Sequence, residues 1–144
     1  MTRHDESHLQ QVCVKWFRAF FPEYDILLFA VPNGGLKSKI EAGIQKGEGV
    51  VRGVSDLILL VPSAGFHGLC IEMKKDSVVY EDGKVKHRKT YQRPDQKAWQ
   101  ERVEAQGYKY MVIRTFDDFR HAVEEYLGRS QDRVNLDTLE RMLA

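Results

Sequence analysis

Long apolar runs are missing from this chain. The longest, Ile26–Val31 and Leu57–Val61, fall far short of the roughly 20 residues that a helix needs to cross a bilayer. Met1-Thr2-Arg3-His4-Asp5-Glu6 carries no apolar signal region. These absences lead us to expect a soluble, cytoplasmic protein that does not engage membranes. Charge of one sign is missing as well: 22 Lys and Arg against 21 Asp and Glu leave a net charge of +1. The whole-molecule field therefore gives no general attraction for polyanions, and any affinity for nucleic acid must come from local clustering. Cysteine is scarce. Cys13 and Cys70 both lie among apolar neighbours, which suits reduced core thiols better than a disulfide, and two isolated thiols do not make a zinc site. No serine, cysteine or histidine nucleophile constellation appears, and there is no internal repeat or low-complexity segment.

What is present is enough for one core. With 144 residues, 42% of them hydrophobic, residues 1–144 are expected to form a single domain. From Ser7 to Phe21 the residues Leu9, Val12, Cys13, Trp16, Phe17 and Phe20 recur at helical spacing, with Asp5 or Ser7 as a cap, Glu6 near the first turn and Pro22 as the stop. Ile26–Val31 reads as a buried strand running into Pro32-Asn33-Gly34-Gly35, and Lys37–Lys46 as a short helix. Strands at Ser55–Val61 and Leu69–Lys74, joined by a turn-rich link, are expected to pair antiparallel. Lys75–Gln92 is a polar loop with room for a short hairpin around Glu81-Asp82-Gly83-Lys84. Pro94 opens a helix that runs to about Gln106 and stops at Gly107. Lys109–Arg114 is a strand, Phe116–Leu127 a helix, and residues 132–144 a possible helical extension. The order predicts an α/β domain in which helices flank a small mixed sheet.

The polar residues on the paired strands are the candidates for chemistry. Side chains two apart on a strand share a face, so Glu72 and Lys74 stand together while Met73 points into the core. If the neighbouring strand enters by its Ser55-Asp56 end, Asp56 meets Glu72 across the pair. Two crowded carboxylates repel unless a cation lies between them, and oxygen donors with open positions suit Mg²⁺ or Mn²⁺. Such an ion supports phosphodiester hydrolysis, with Lys74 either handling the attacking water or neutralising the phosphate. Glu-x-Lys alone decides little, since it arises by chance in about one chain in three of this size. Its place after an apolar strand, preceded by a second strand that begins Gly53-Val54-Ser55-Asp56, is what raises it above that background.

Three further features bear on the same site. Gln96 lies on the helix after the basic segment and can reach a water or phosphate, although a solvated helix position is the plainer reading. Glu6 either complements its helix dipole or supplies a third carboxylate. Lys84, Lys86, Arg88, Lys89, Arg93 and Lys97, with His87 and Tyr91, are opposed by the single acid Asp95; next to a metal site they would grip backbone phosphates. Asn33, Gly34 and Lys37 extend this nucleic-acid-binding set, the glycine letting backbone amides approach a phosphate.

Taken in order, the helix with Glu6, the Pro32-Asn33-Gly34-Gly35 turn, Gly53 before Ser55-Asp56, Ile71-Glu72-Met73-Lys74, and the helix with Gln96 and Trp99 resemble the VRR-NUC (virus-type replication-repair nuclease) branch of the PD-(D/E)XK nucleases, especially its small standalone phage and bacterial members. The similarity spans Glu6 to about Arg114. It implies a restriction-endonuclease-like fold and Mg²⁺- or Mn²⁺-dependent cleavage of DNA, in the host cytoplasm if the protein is phage-encoded. Position by position it makes Asp56, Glu72 and the Met73 carbonyl metal ligands, Glu6 an additional acidic ligand, Lys74 the catalytic lysine and Gln96 an accessory active-site residue. Ser55 stands where the superfamily pattern has proline. The resemblance further implies a homodimer acting on branched DNA such as a Holliday junction, in repair. Rival readings are a non-catalytic DNA-binding module of the same fold, and a sequence-specific or exonucleolytic member of the superfamily.

Overall fold

The computed structural model describes residues 3–32, 38–88 and 91–129. The expected C-terminal helix at 132–144 lies outside them, as do Asn33, Gly34, Gly35, Lys37 and Lys89.

The chain begins with α1 (Arg3–Phe20), whose apolar stripe becomes the centre of the core. Cys13, Trp16 and Phe17 are fully buried, and the Trp16 ring sits 5.7–6.0 Å from the rings of Phe20, Phe21, Phe116 and Phe119. Because α1 starts at Arg3, Asp5 and Ser7 fall within the helix and do not cap it. A 3-10 turn over Pro22–Leu27 follows, where the sequence pointed to a strand from Ile26. Turn chemistry outweighs the apolar run there: Pro22 presets the first dihedral, and Asp25 Oδ1 accepts the Ile26 N–H at 2.6 Å. Ile26 is left 77% exposed.

Pairing starts at Leu28. β1 (Leu28–Ala30), β2 (Leu57–Leu59), β3 (Leu69–Met73) and β6 (Lys109–Ile113) form one sheet in the order β1-β2-β3-β6. β1, β2 and β3 are antiparallel neighbours, and β3 and β6 run parallel. β2 is shorter than its apolar run; at its start Ser55 Oγ donates to Leu57 O, and the chain leaves the ladder. Leu57, Leu59, Leu69, Ile71, Met73 and Ile113 join α1 and α4 (Phe116–Leu127) in the core, so these helices cover one face. α3 (Pro94–Ala105) covers the other, with Trp99 against Tyr110. That makes three layers.

The polar segment, read as a loop with room for a short hairpin, holds one: β4 (Ser77–Glu81) and β5 (Lys84–Arg88). Its turn residues Asp82 and Gly83 have φ of 51° and 71°, the positive pair that a tight two-residue hairpin requires. α2 (Lys39–Gly47) is capped by Ser38, whose Oγ accepts the Glu41 N–H at 3.1 Å, but it buries no residue. α4 starts on Thr115 and ends at Gly128 in the left-handed conformation, as its sequence boundaries predicted. No described helix is long and apolar enough to cross a membrane.

Gly53 has a particular duty. Its φ is +86°, and a Cβ there would lie 2.5 Å from the carbonyl oxygen of Asp95, in the first turn of α3. Only a glycine lets α3 settle onto the segment that leads into β2. Gly53→Ala is therefore expected to cost about 1–3 kcal/mol in urea or thermal melts. Gly43→Ala, in the middle of α2 with open space around it, should instead stabilise by about 0.5–1 kcal/mol. Equal effects at the two positions would contradict this account of Gly53.

Candidate metal and catalytic cleft

The ladder register builds the site. Leu57 pairs with Ile71, so the next position sets Asp56 beside Glu72 at the point where the two strands part. Asp56 Oδ2 accepts the Met73 N–H at 2.7 Å, which pins the aspartate across the end of the ladder. Met73 itself turns its side chain into the core. Glu72 and Lys74 share the opposite face, as strand alternation predicted, with Lys74 Nζ 4.0 Å from Glu72 Oε1.

Gln96 is a structural member of this group and not a solvated position. It is buried at 6% exposure, and its Nε2 donates to Glu72 Oε1 at 2.8 Å while its Oε1 accepts the Arg93 N–H at 2.9 Å. A backbone N–H can only donate, so the amide orientation is fixed by chemistry: oxygen toward Arg93, nitrogen toward Glu72. As the third residue of α3, Gln96 caps its own helix and holds the glutamate with one side chain.

A cleft of about 410 Å³ opens over these residues, lined by Glu6, Asp56, Glu72, Met73, Lys74, Arg93 and Gln96 among others. Glu72 lies almost wholly buried, and its Oε2 has no hydrogen-bond partner. Its pKa is pushed up from 4.5 to about 8, by burial first and then by the Asp56 charge and a shared proton with Asp56, with the Lys74 and Arg93 charges opposing. Glu6 is also raised, by burial first and by Asp56, with Lys74 acting against both.

The expected residues are thus brought together, with one qualification. Among the described residues no three His, Cys, Asp or Glu side chains converge as a ligand set for one ion. Glu6 shares the cleft and the field of Asp56, yet it does not close a three-acid cage. Two carboxylates and the backbone at Met73 remain, and an orphaned buried carboxylate oxygen beside a second carboxylate is the donor chemistry that suits a hard divalent cation. In this respect the residues present fit Mg²⁺ or Mn²⁺.

The basic set divides. Arg93 lines the cleft; Lys84 and Lys97 are exposed; Lys86 and Arg88 fall on β5 and not on a loop. Sequence reasoning passed over Gln10, which also lines the cleft and lies four residues after Glu6, a helical spacing that was available as a signal. It also passed over Tyr110 beneath Glu72, whose hydroxyl accepts from Gln92 Nε2 at 2.9 Å while the same nitrogen donates to Gln100 Oε1 at 3.0 Å. Burial and then the Glu72 charge raise the Tyr110 pKa, so the phenol stays neutral. Nothing in the sequence marks that network, because its parts come from three segments. The two thiols are free and buried, and burial raises Cys13 to about 12 and Cys70 to about 11, as inert core cysteines require.

A four-stranded mixed sheet between helices, with an acidic pair and a lysine where two strands part, defines the restriction-endonuclease-like class of fold. A solved structure described as a "VRR_NUC domain protein" has the same fold, with a TM-score of 0.68 and 25% identity over 88% of this chain and 90% of that one. No family profile and no curated protein matches the chain. The chain is thus similar in fold to that VRR_NUC domain protein over most of both chains.

Glu72 gives a pH-dependent stability of definite sign. Its pKa is raised in the folded chain, so its contribution to folding is full below about pH 4.5 and is lost as the pH climbs toward about 8. In EDTA, melts at about pH 5 and about pH 8.5 should show Glu72→Gln stabilised over wild type by about 1–3 kcal/mol at the higher pH and much less at the lower. A constant difference would mean that Glu72 does not carry this strain.

Proposed function

We propose that this protein is a metal-dependent DNA endonuclease that hydrolyses phosphodiester bonds and selects branched DNA, Holliday junctions among them. The observation that carries this reading is the buried, unpartnered Glu72 Oε2 beside Asp56, with Lys74 4.0 Å away across the same carboxylate. Asp56, Glu72 and the backbone of Met73 would hold Mg²⁺ or Mn²⁺, with Glu6 reaching it from the wall of the cleft. Such an ion supplies a water acidified toward hydroxide and Lewis-acid stabilisation of the phosphate.

The chain's own residues do the rest. Gln96 holds Glu72 Oε1, which leaves Oε2, without a hydrogen-bond partner, available as a ligand. Lys74, almost buried, places its ammonium next to where negative charge would grow on the phosphate, and it can orient the attacking water by donating a hydrogen bond to it. Lys84, Lys86, Arg88, Arg93 and Lys97, extended by Asn33, Gly34, Lys37 and Lys89, would bind the DNA backbone without reading its sequence. A two-fold homodimer would present two such clefts to two strands of a junction, a fit of symmetry to substrate.

Labelled duplex, flap and four-way-junction DNA incubated with the protein in Mg²⁺ or Mn²⁺ tests this. Cleavage should need the metal, favour the junction, and fall about 10²–10⁴-fold in Glu72→Ala and Lys74→Ala. Gln96→Ala should lose about 10–100-fold, as expected of a group that orients a ligand. Activity that survives both Glu72→Ala and Lys74→Ala would sink the assignment. Salt-dependent junction binding with no cleavage in either metal would identify a DNA-binding module, and sequence-specific cuts in linear duplex would displace the junction. Light scattering decides the dimer.

A further inference from the structure

Arg93 breaks a local rule. It is the N-cap of α3, a position that favours Ser, Thr, Asp or Asn because their side chains accept from the first free amides. A guanidinium has no acceptor, and a cation at a helix N-terminus opposes the helix dipole. The cap duty has passed to Gln96, and Asp95 offsets the charge through a 3.2 Å contact to Arg93 Nε. Asp95 is itself 3.9 Å from Arg52 Nε, so its charge is divided between two cations. The Arg93 side chain remains 59% exposed at the wall of the cleft that holds Glu72, and its charge lowers the pKa of that carboxylate. A residue that weakens its own helix start and yet faces a buried, unpartnered carboxylate is placed for something that enters the cleft.

We propose that Arg93 is the phosphate clamp of this cleft: its guanidinium engages the non-bridging oxygens of the phosphodiester that is to be cut, in the cleft that Lys74 also lines. This rests on the nuclease reading and gives that site a named contact to its substrate. Guanidinium geometry matches two phosphate oxygens at once, which Lys74, a point charge, cannot do. Lys84 and Lys97 are exposed and outside the cleft lining, where one charge more or less would change affinity but not turnover. Arg93 touches the reacting group, and its loss falls on turnover.

The test compares wild type, Arg93→Ser and Arg93→Lys in three measurements. In metal-free buffer Arg93→Ser should raise Tm by a few degrees, since serine is a good N-cap and completes a capping box with Gln96. At saturating DNA in Mn²⁺ its single-turnover cleavage rate should fall about 10–100-fold, the loss expected for one charge-assisted hydrogen bond, while Kd for the DNA changes by less than about threefold. Arg93→Lys should recover only part of the rate. Inorganic phosphate at fixed ionic strength should raise the Tm of wild type and leave that of Arg93→Ser unmoved. Unchanged turnover in Arg93→Ser overturns the clamp while leaving the nuclease reading intact. If wild type cleaves no DNA, the nuclease reading fails, and the phosphate shift still decides Arg93: an equal shift in both proteins overturns the proposal.

Discussion

The register between β2 and β3 is the constraint on which the site depends. A one-residue slip would turn Leu69, Ile71 and Met73 out of the core and carry Glu72 into it. Each of those three side chains contributes about 1.5–3 kcal/mol by burial, and an uncompensated carboxylate in the core would add several kcal/mol of cost. Apolar alternation therefore enforces the register with a wide margin. The same register puts Asp56 against Glu72 where the ladder parts, so the carboxylate pair is a by-product of hydrophobic packing on the opposite face. That is why the pair can be held together despite its repulsion: the energy that fixes it is spent elsewhere in the sheet.

The third element of the site arrives from another layer. α3 reaches Glu72 only because Gly53 has no side chain, and the contact brings the helix start within hydrogen-bond reach of the strand. Gln96 then satisfies two demands at once, an open helix amide and a buried carboxylate oxygen. Removing either partner leaves the other exposed to an unmet bond, which ties the position of α3 to the orientation of Glu72. Tyr110, Gln92 and Gln100 close the floor beneath the glutamate with a network that keeps its hydroxyl and amides satisfied. Glu72 Oε2 is left without a hydrogen-bond partner, in a residue that lines the cleft.

What could be read from the sequence was what local chemistry decides. Period-two alternation over Leu69–Lys74 gave the strand and the shared face of Glu72 and Lys74. Pro94 and Gly107 bounded α3 within a residue or two, and the expected helix at Phe116–Leu127 has the bounds of α4. Where two local signals competed, the reading went astray: six apolar residues from Ile26 suggested a strand, but Pro22 and Asp25 wind the first of them into a 3-10 turn. Where burial depends on a distant segment, the sequence is silent. Gln96 looks like a solvated helix residue until Gly53 lets its helix dock. α2 is the converse case, since Ile40 and Ile44 have the spacing of a buried stripe but stand 77% and 57% exposed.

Near-neutral composition conceals a sharp separation of charge at short range. Glu72 and Asp56 lie at the bottom of the cleft, while Arg93, at its wall, and Lys84 and Lys97 are exposed. With a net charge of +1, long-range attraction for a polyanion is weak, so DNA would be captured by contacts within about a Debye length, roughly 8 Å in physiological salt. In the proposed reading, Asp56 and Glu72 would take a cation at depth and Arg93 at the wall would take a phosphate over it, each favouring the other by opposite charge. On that reading metal binding and DNA binding would support each other in a protein whose overall charge favours neither.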